Sequence, residues 1–90
     1  MWIYEFSKEA EKFLIKQPRK LQELITQKIK NIGDWLDDRS KLAVDVRKLY
    51  GEWDGFYRLR IGKIRVLFSV DEEKEIIRVH AIGYRGDIYK

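Results

Sequence analysis

The segment from Phe56 to Phe68 constrains this chain more than any other. Apolar and polar residues alternate through Phe56-Tyr57-Arg58-Leu59-Arg60-Ile61, break at Gly62-Lys63, and resume as Ile64-Arg65-Val66-Leu67-Phe68. Period-two alternation on both sides of a Gly-first, two-residue break predicts a β-hairpin closed by a type II′ turn. A two-residue loop fixes the register: Ile61 faces Ile64, and Arg60 falls directly opposite Arg65. Like charges directly opposed destabilise a sheet. A chain that carries such a pair is expected to place an anion there, with phosphate the leading choice because guanidinium binds it in a bidentate way.

The rest of the chain supplies what this hairpin packs against. Met1 to Phe6 alternates as a short strand, with Trp2, Tyr4 and Phe6 on one side. Ser7 is a fitting N-cap for a helix reaching about Lys16, whose apolar side is Ala10, Phe13 and Leu14. Pro18 suits the first turn of a second helix, in which Leu21, Leu24, Ile25, Ile29, Ile32 and Leu36 recur at helical spacing. Gly33 leaves two endings open: it stops that helix, or the helix passes through it. Residues 37 to 41 read as a charged loop, Ala43 to Tyr50 as a strand, and Gly51 to Gly55 as a turn-rich connection. Beyond the hairpin, Asp71-Glu72-Glu73-Lys74 reads as a turn and Glu75 to Ile82 as the last long strand.

The expected order is β-α-α-β-β-β(-β), an α+β fold: a mostly antiparallel sheet with a two-helix hairpin on one face. Placing Val66 opposite Val79 and Phe68 opposite Ile77 stacks apolar on apolar. That register puts Arg65 beside His80 and gives one transverse row of Arg60, Arg65 and His80. The open face then holds Arg58, Arg60, Arg65, Arg78 and His80. Arg47 and Lys48, on the preceding strand, read as charges that discourage edge pairing.

Composition narrows the function classes. Ninety residues make one domain, 1–90, and 44% hydrophobic residues mark a folding chain and not a disordered one. No cysteine is present, so disulfides and thiolate chemistry are excluded. One histidine and no carboxylate cluster at ligand spacing argue against a metal site, and no cofactor motif is present. No apolar run approaches the ~18 residues of a membrane helix, and the N-terminus lacks a signal-peptide pattern, so a cytoplasmic protein is expected. The net charge of +4 is modest. Yet the stretch from Phe56 to Val70 carries Arg58, Arg60, Lys63 and Arg65 and no acid. That local charge suits a ligand with several phosphates, or an acidic protein.

Several motifs in order resemble the RelE toxins of the RelE/ParE superfamily. They are Val46-Arg47-Lys48-Leu49; Tyr57-Arg58-Leu59-Arg60; Gly62-Lys63-Ile64-Arg65-Val66; the acidic turn; and Ile82-Gly83-Tyr84-Arg85-Gly86-Asp87-Ile88-Tyr89. The resemblance covers nearly the whole chain, and its last motif is the most diagnostic. It implies the toxin of a toxin–antitoxin pair, acting in the ribosomal 30S A site on mRNA. There the ribose 2′-OH attacks the adjacent phosphodiester, without a metal. By position, Arg65 and Arg85 would stabilise the pentacovalent phosphate and Tyr89 would orient the nucleotide and take the 2′-OH proton. A free phenol titrates near pH ~10, and arginines beside it favour the phenolate. Arg58 and Arg60 stand where some members carry two lysines and would grip the flanking backbone, helped by Lys48 or Lys63. Tyr84 occupies a position that is histidine in many relatives, and His80 is the other candidate for a titrating group near the substrate. The implied partners are a cognate antitoxin and the ribosome with its mRNA, with no membrane and no direct DNA binding without the antitoxin. Two alternatives remain: a ParE-like poison of DNA gyrase, and an inactive relic that binds RNA or antitoxin.

Overall fold

In the computed structural model, described for residues 1–38 and 44–84, the elements run β1 (Ile3–Phe6), α1 (Lys8–Ile15), α2 (Arg19–Asp37), β2 (Val46–Lys48), a 3-10 turn (Gly51–Trp53), β3 (Tyr57–Ile61), β4 (Ile64–Asp71) and β5 (Ile76–Tyr84). The strands form one sheet in the order β1-β5-β4-β3-β2. β1 runs parallel to β5, and the other neighbours are antiparallel. The fold is α+β, as expected.

Local chemistry sets most of these boundaries. Ser7 caps α1 by accepting from the Ala10 amide at 3.0 Å, and its hydroxyl donates to the His80 carbonyl at 2.6 Å. One serine therefore both starts the helix and ties its start to β5. Pro18 is the N-cap of α2, one position earlier than a first-turn proline, and its carbonyl accepts from Leu21 and Gln22. In the β3–β4 hairpin Gly62 has φ 58, and Ile61 pairs with Ile64, as a Gly-first two-residue loop requires.

The core lies between the helices and one face of the sheet. Ile25, Ile29 and Ile32 of α2 and Ala10 of α1 pack against Leu59, Val66, Phe68, Ile77 and Val79. All of these are essentially without solvent contact. Each buried Ile or Phe stabilises the fold by roughly 1.5–3 kcal/mol relative to exposure. Leu24, which shares their spacing, is 45% exposed and belongs to the outer side of α2.

Gly33 does not end α2. The helix continues to Asp37 because Gly33 is where β1 lies closest to it. The Tyr4 hydroxyl donates to the Lys30 carbonyl at 2.8 Å and accepts from the Gly33 amide at 3.1 Å. A Cβ on Gly33 would stand 2.6 Å from that hydroxyl oxygen and 3.1 Å from the Trp2 ring. The glycine is thus a packing requirement of the β1–α2 contact. Burial raises the Tyr4 phenol pKa, and Asp34 and Asp37 add to this, against the Gly33 amide, which lowers it.

The pairing of β4 with β5 departs from the expected register. Val66 pairs with Ile82, not Val79, and Phe68 pairs with Val79, not Ile77. Arg65 stands opposite Gly83, so the row of Arg60, Arg65 and His80 does not form. Two features cause the shift. The loop is four residues long but centred on 72–75, with Glu75 in the left-handed region at φ 55. A bulge between Leu67 and Phe68 then absorbs one more residue of β5. Val79 and Ile82 both reach the core because of that bulge, and His80 falls between them on the other face.

Candidate functional site

The face turned away from the helices is built mainly from β2, β3 and β4. Arg47 pairs with Arg58 across β2–β3, Arg58 with Leu67, and Arg60 with Arg65 across β3–β4. Strand alternation puts Arg47, Arg58, Arg60 and Arg65 on this single face. The opposed Arg60 and Arg65 are as the hairpin predicts.

Asp45 changes the electrostatics of the group. Its backbone carbonyl accepts from the Arg60 amide at 2.9 Å, continuing the β2–β3 ladder by one residue. Its carboxylate bridges two guanidiniums: Oδ1 accepts from Arg58 Nη2 at 3.3 Å, and Oδ2 accepts from Arg60 Nε in a close ion pair. Arg58 is the more enclosed of the two, with its side chain 14% exposed against 51% for Arg60. The Nε of Arg58 is buried with no hydrogen-bond partner among the described residues. Arg65 turns toward its own hairpin, donating from Nη1 to the carbonyls of Gly62 at 2.7 Å and Ile64 at 3.1 Å. It has no acidic partner among the described residues.

Arg78 does not join this group. It donates to Glu5 on β1 at 3.0 Å and lies 4.0 Å from Asp71, so it serves the β1–β5 side of the sheet. His80 is also removed from the arginine pair. Its Nε2 is 2.7 Å from the Ser69 hydroxyl, and its ring meets Phe56 edge-on with centroids 4.9 Å apart. Burial, and secondly the charge of Arg78, lower its pKa below the usual histidine value. Both effects favour the neutral imidazole over the charged one.

Two further candidates project toward the helix side. Lys48 pairs with Tyr57, whose ring stacks on the core residue Phe68 at 5.5 Å, so alternation sets Lys48 apart from the arginines. Tyr84 meets Phe13 of α1 with ring centroids 5.6 Å apart. Lys63 sits exposed at the tip of the hairpin. Arg85 and Tyr89 lie outside the described residues, but β5 ends at Tyr84, one residue past the Gly83 that faces Arg65. Among the described residues no group of three or more His, Cys, Asp or Glu side chains is arranged to hold a metal ion.

Sequence reasoning passed over Asp45 and undervalued Arg47. The signal was available: both precede the hairpin on a strand expected to pair with Tyr57 to Ile61. Period-two counting along that strand puts Asp45 and Arg47 on one side. Counting charge only between Phe56 and Val70 hid the carboxylate.

The architecture is a two-helix layer on a five-stranded mixed sheet, with a cationic outer face. A family model described as the ParE toxin of the type II toxin–antitoxin system, parDE, matches residues 4–89, and the chain belongs to that family, within the RelE/ParE superfamily. The isolated RelE toxin of E. coli superposes with a TM-score of 0.71 at 19% identity, covering 99% of this chain and 92% of that one. The RelBE2 toxin–antitoxin complex of Mycobacterium tuberculosis gives a TM-score of 0.70 at 20% identity, covering 93% and 98%. The archaeal RelE–RelB complex of Pyrococcus horikoshii OT3 gives 0.66 at 26% identity, covering 96% and 97%. No curated protein matches the chain. Among the described residues no helix is long and apolar enough to cross a membrane.

Proposed function

We propose that this type II toxin is a ribosome-dependent endoribonuclease that cleaves mRNA in the A site. The observation that carries the reading is the opposed Arg60–Arg65 pair, flanked by Arg47 and Arg58 on the face away from the helices. Such a face suits successive phosphates of a single strand.

In this reading Arg65 and Arg85 bind the scissile phosphate and stabilise the added negative charge of its pentacovalent state. Tyr89 accepts the 2′-OH proton as that oxygen attacks phosphorus, the P–O5′ bond breaks, and the leaving 5′-oxygen takes a proton from solvent water. The products are a 2′,3′-cyclic phosphate and a 5′-hydroxyl. Arg58 and Arg60 hold the flanking backbone, with Lys63 reaching from the hairpin tip. Lys48 and Tyr84, on the helix side, have lesser parts. His80 is a weakened base, because its pKa is lowered; its Nε2 is engaged by Ser69, and the register sets it apart from Arg65. Tyr89 is therefore the preferred base. No step uses a metal or cofactor. A cognate antitoxin is the expected partner: the relatives from M. tuberculosis and P. horikoshii are toxin–antitoxin complexes. An acidic antitoxin segment would neutralise the same face, in the cytoplasm where the ribosome is.

The family match favours a second reading, poisoning of DNA gyrase, because its description names ParE. Inducing the toxin without an antitoxin separates the two. Immediate loss of amino-acid incorporation with intact chromosomal DNA supports mRNA cleavage. DNA breaks and a damage response with translation continuing support the gyrase reading and overturn the first.

A further inference from the structure

Asp45 is placed as an anion would be placed. Its two oxygens each take a different arginine, and its backbone carbonyl is fixed by the β2–β3 ladder, so the carboxylate is held over the pair by the sheet itself. A carboxylate nevertheless leaves this site incompletely satisfied. Among the described residues the Nε of Arg58 is buried without a partner, and a buried donor left unpaired is destabilising. A phosphodiester offers more acceptor lone pairs and wider reach than a carboxylate. Arg47 on one side and Arg65 on the other have no carboxylate of their own among the described residues.

We infer that the Asp45 carboxylate is a built-in substitute for an RNA phosphodiester: it bridges Arg58 and Arg60 in the free protein and is displaced when a backbone phosphate binds there. It thereby sets how tightly the arginine face holds RNA. This rests on the reading of that face as an RNA-binding surface and assigns a residue to its regulation.

The test is binding of a fluorescently labelled single-stranded RNA dodecamer, followed by anisotropy at low salt without ribosomes. Asp45→Asn keeps the side-chain size and removes the charge, and Asp45→Ser checks that the result does not depend on the amide. Both are expected to bind about 5–10-fold more tightly than the unaltered protein, the scale of two partly exposed charge pairs released. The gain should disappear when Arg60→Gln is added, since the freed donor is then missing. Asp54→Asn, an equal change of net charge on the connection before β3, should alter affinity less than twofold. Thermal melts confirm that each variant is folded. Equal affinity of Asp45→Asn and the unaltered protein, the same gain from Asp54→Asn, or a gain that survives Arg60→Gln would each overturn the inference while leaving the face an RNA binder. If no variant binds RNA at all, the inference falls, while the ribosome-dependent reading of the face stands or falls separately with the cell-free cleavage reaction.

Discussion

The two faces of this one sheet solve opposite problems. Toward the helices, Phe68, Val66, Ile77 and Val79 lose nearly all solvent contact, and among the described residues no polar side chain is buried there. Away from the helices, the same strands carry Arg47, Arg58, Arg60 and Arg65 around one carboxylate, with the Arg58 Nε unsatisfied. Burial of apolar surface is non-directional, and these four residues achieve it against the helices. Pairing of guanidiniums is directional, and among the described residues it is incomplete. The difference separates a face whose contacts are apolar and internal from one whose charges are proposed to meet a ligand, the two joined through the strand backbones.

The largest effect expected from breaking that comparison is Phe68→Ala. Phe68 is fully buried and central to the core, so its loss should cost about 3–5 kcal/mol in a denaturant melt and remove activity by unfolding the protein. Arg65→Ala should do the converse. Cleavage should fall at least ~100-fold, the scale of losing one transition-state donor, while the melt moves by less than about 1 kcal/mol. A large loss of stability in Arg65→Ala would show that the two faces are not separable.

A smaller effect sharpens the account of the helix side. Gly33→Ala gains about 1 kcal/mol of helix propensity, but its Cβ would displace the Tyr4 hydroxyl and its two hydrogen bonds. A net destabilisation of about 1–2 kcal/mol is expected. The Gly33→Ala penalty should shrink in a Tyr4→Phe background, where no hydroxyl remains to be displaced. The smallest effect concerns His80. Its folded pKa is lowered, so near and below pH ~6.5 the unfolded chain binds more protons and stability falls as the pH drops toward the folded value. The melting temperature of the unaltered protein should therefore decline more between pH 7.5 and 5.5 than that of His80→Gln. Equal declines would show that His80 is not held in its neutral form.

Local signals made much of this molecule legible in the sequence. The Gly62-Lys63 loop fixes the Arg60–Arg65 pair through two residues of chain, and Ser7 marks the start of α1 with its own hydroxyl. What escaped depends on contacts made far along the chain. The bulge at Leu67/Phe68 and the left-handed Glu75 carry no glycine to announce them, and they move His80 away from Arg65. Gly33 looks like a helix stop until Tyr4 is known to lie against it. Asp45 sits outside the motif that drew attention to the arginines.

The most direct test of the account is to map mRNA 5′ ends by primer extension in a cell-free translation reaction. The purified toxin and its folded Arg65→Ala variant would be compared, with ribosome-free mRNA as the control. The account predicts codon-phased cuts that need ribosomes and vanish with Arg65→Ala. Intact mRNA with normal translation, or cuts that persist undiminished in Arg65→Ala, would contradict it.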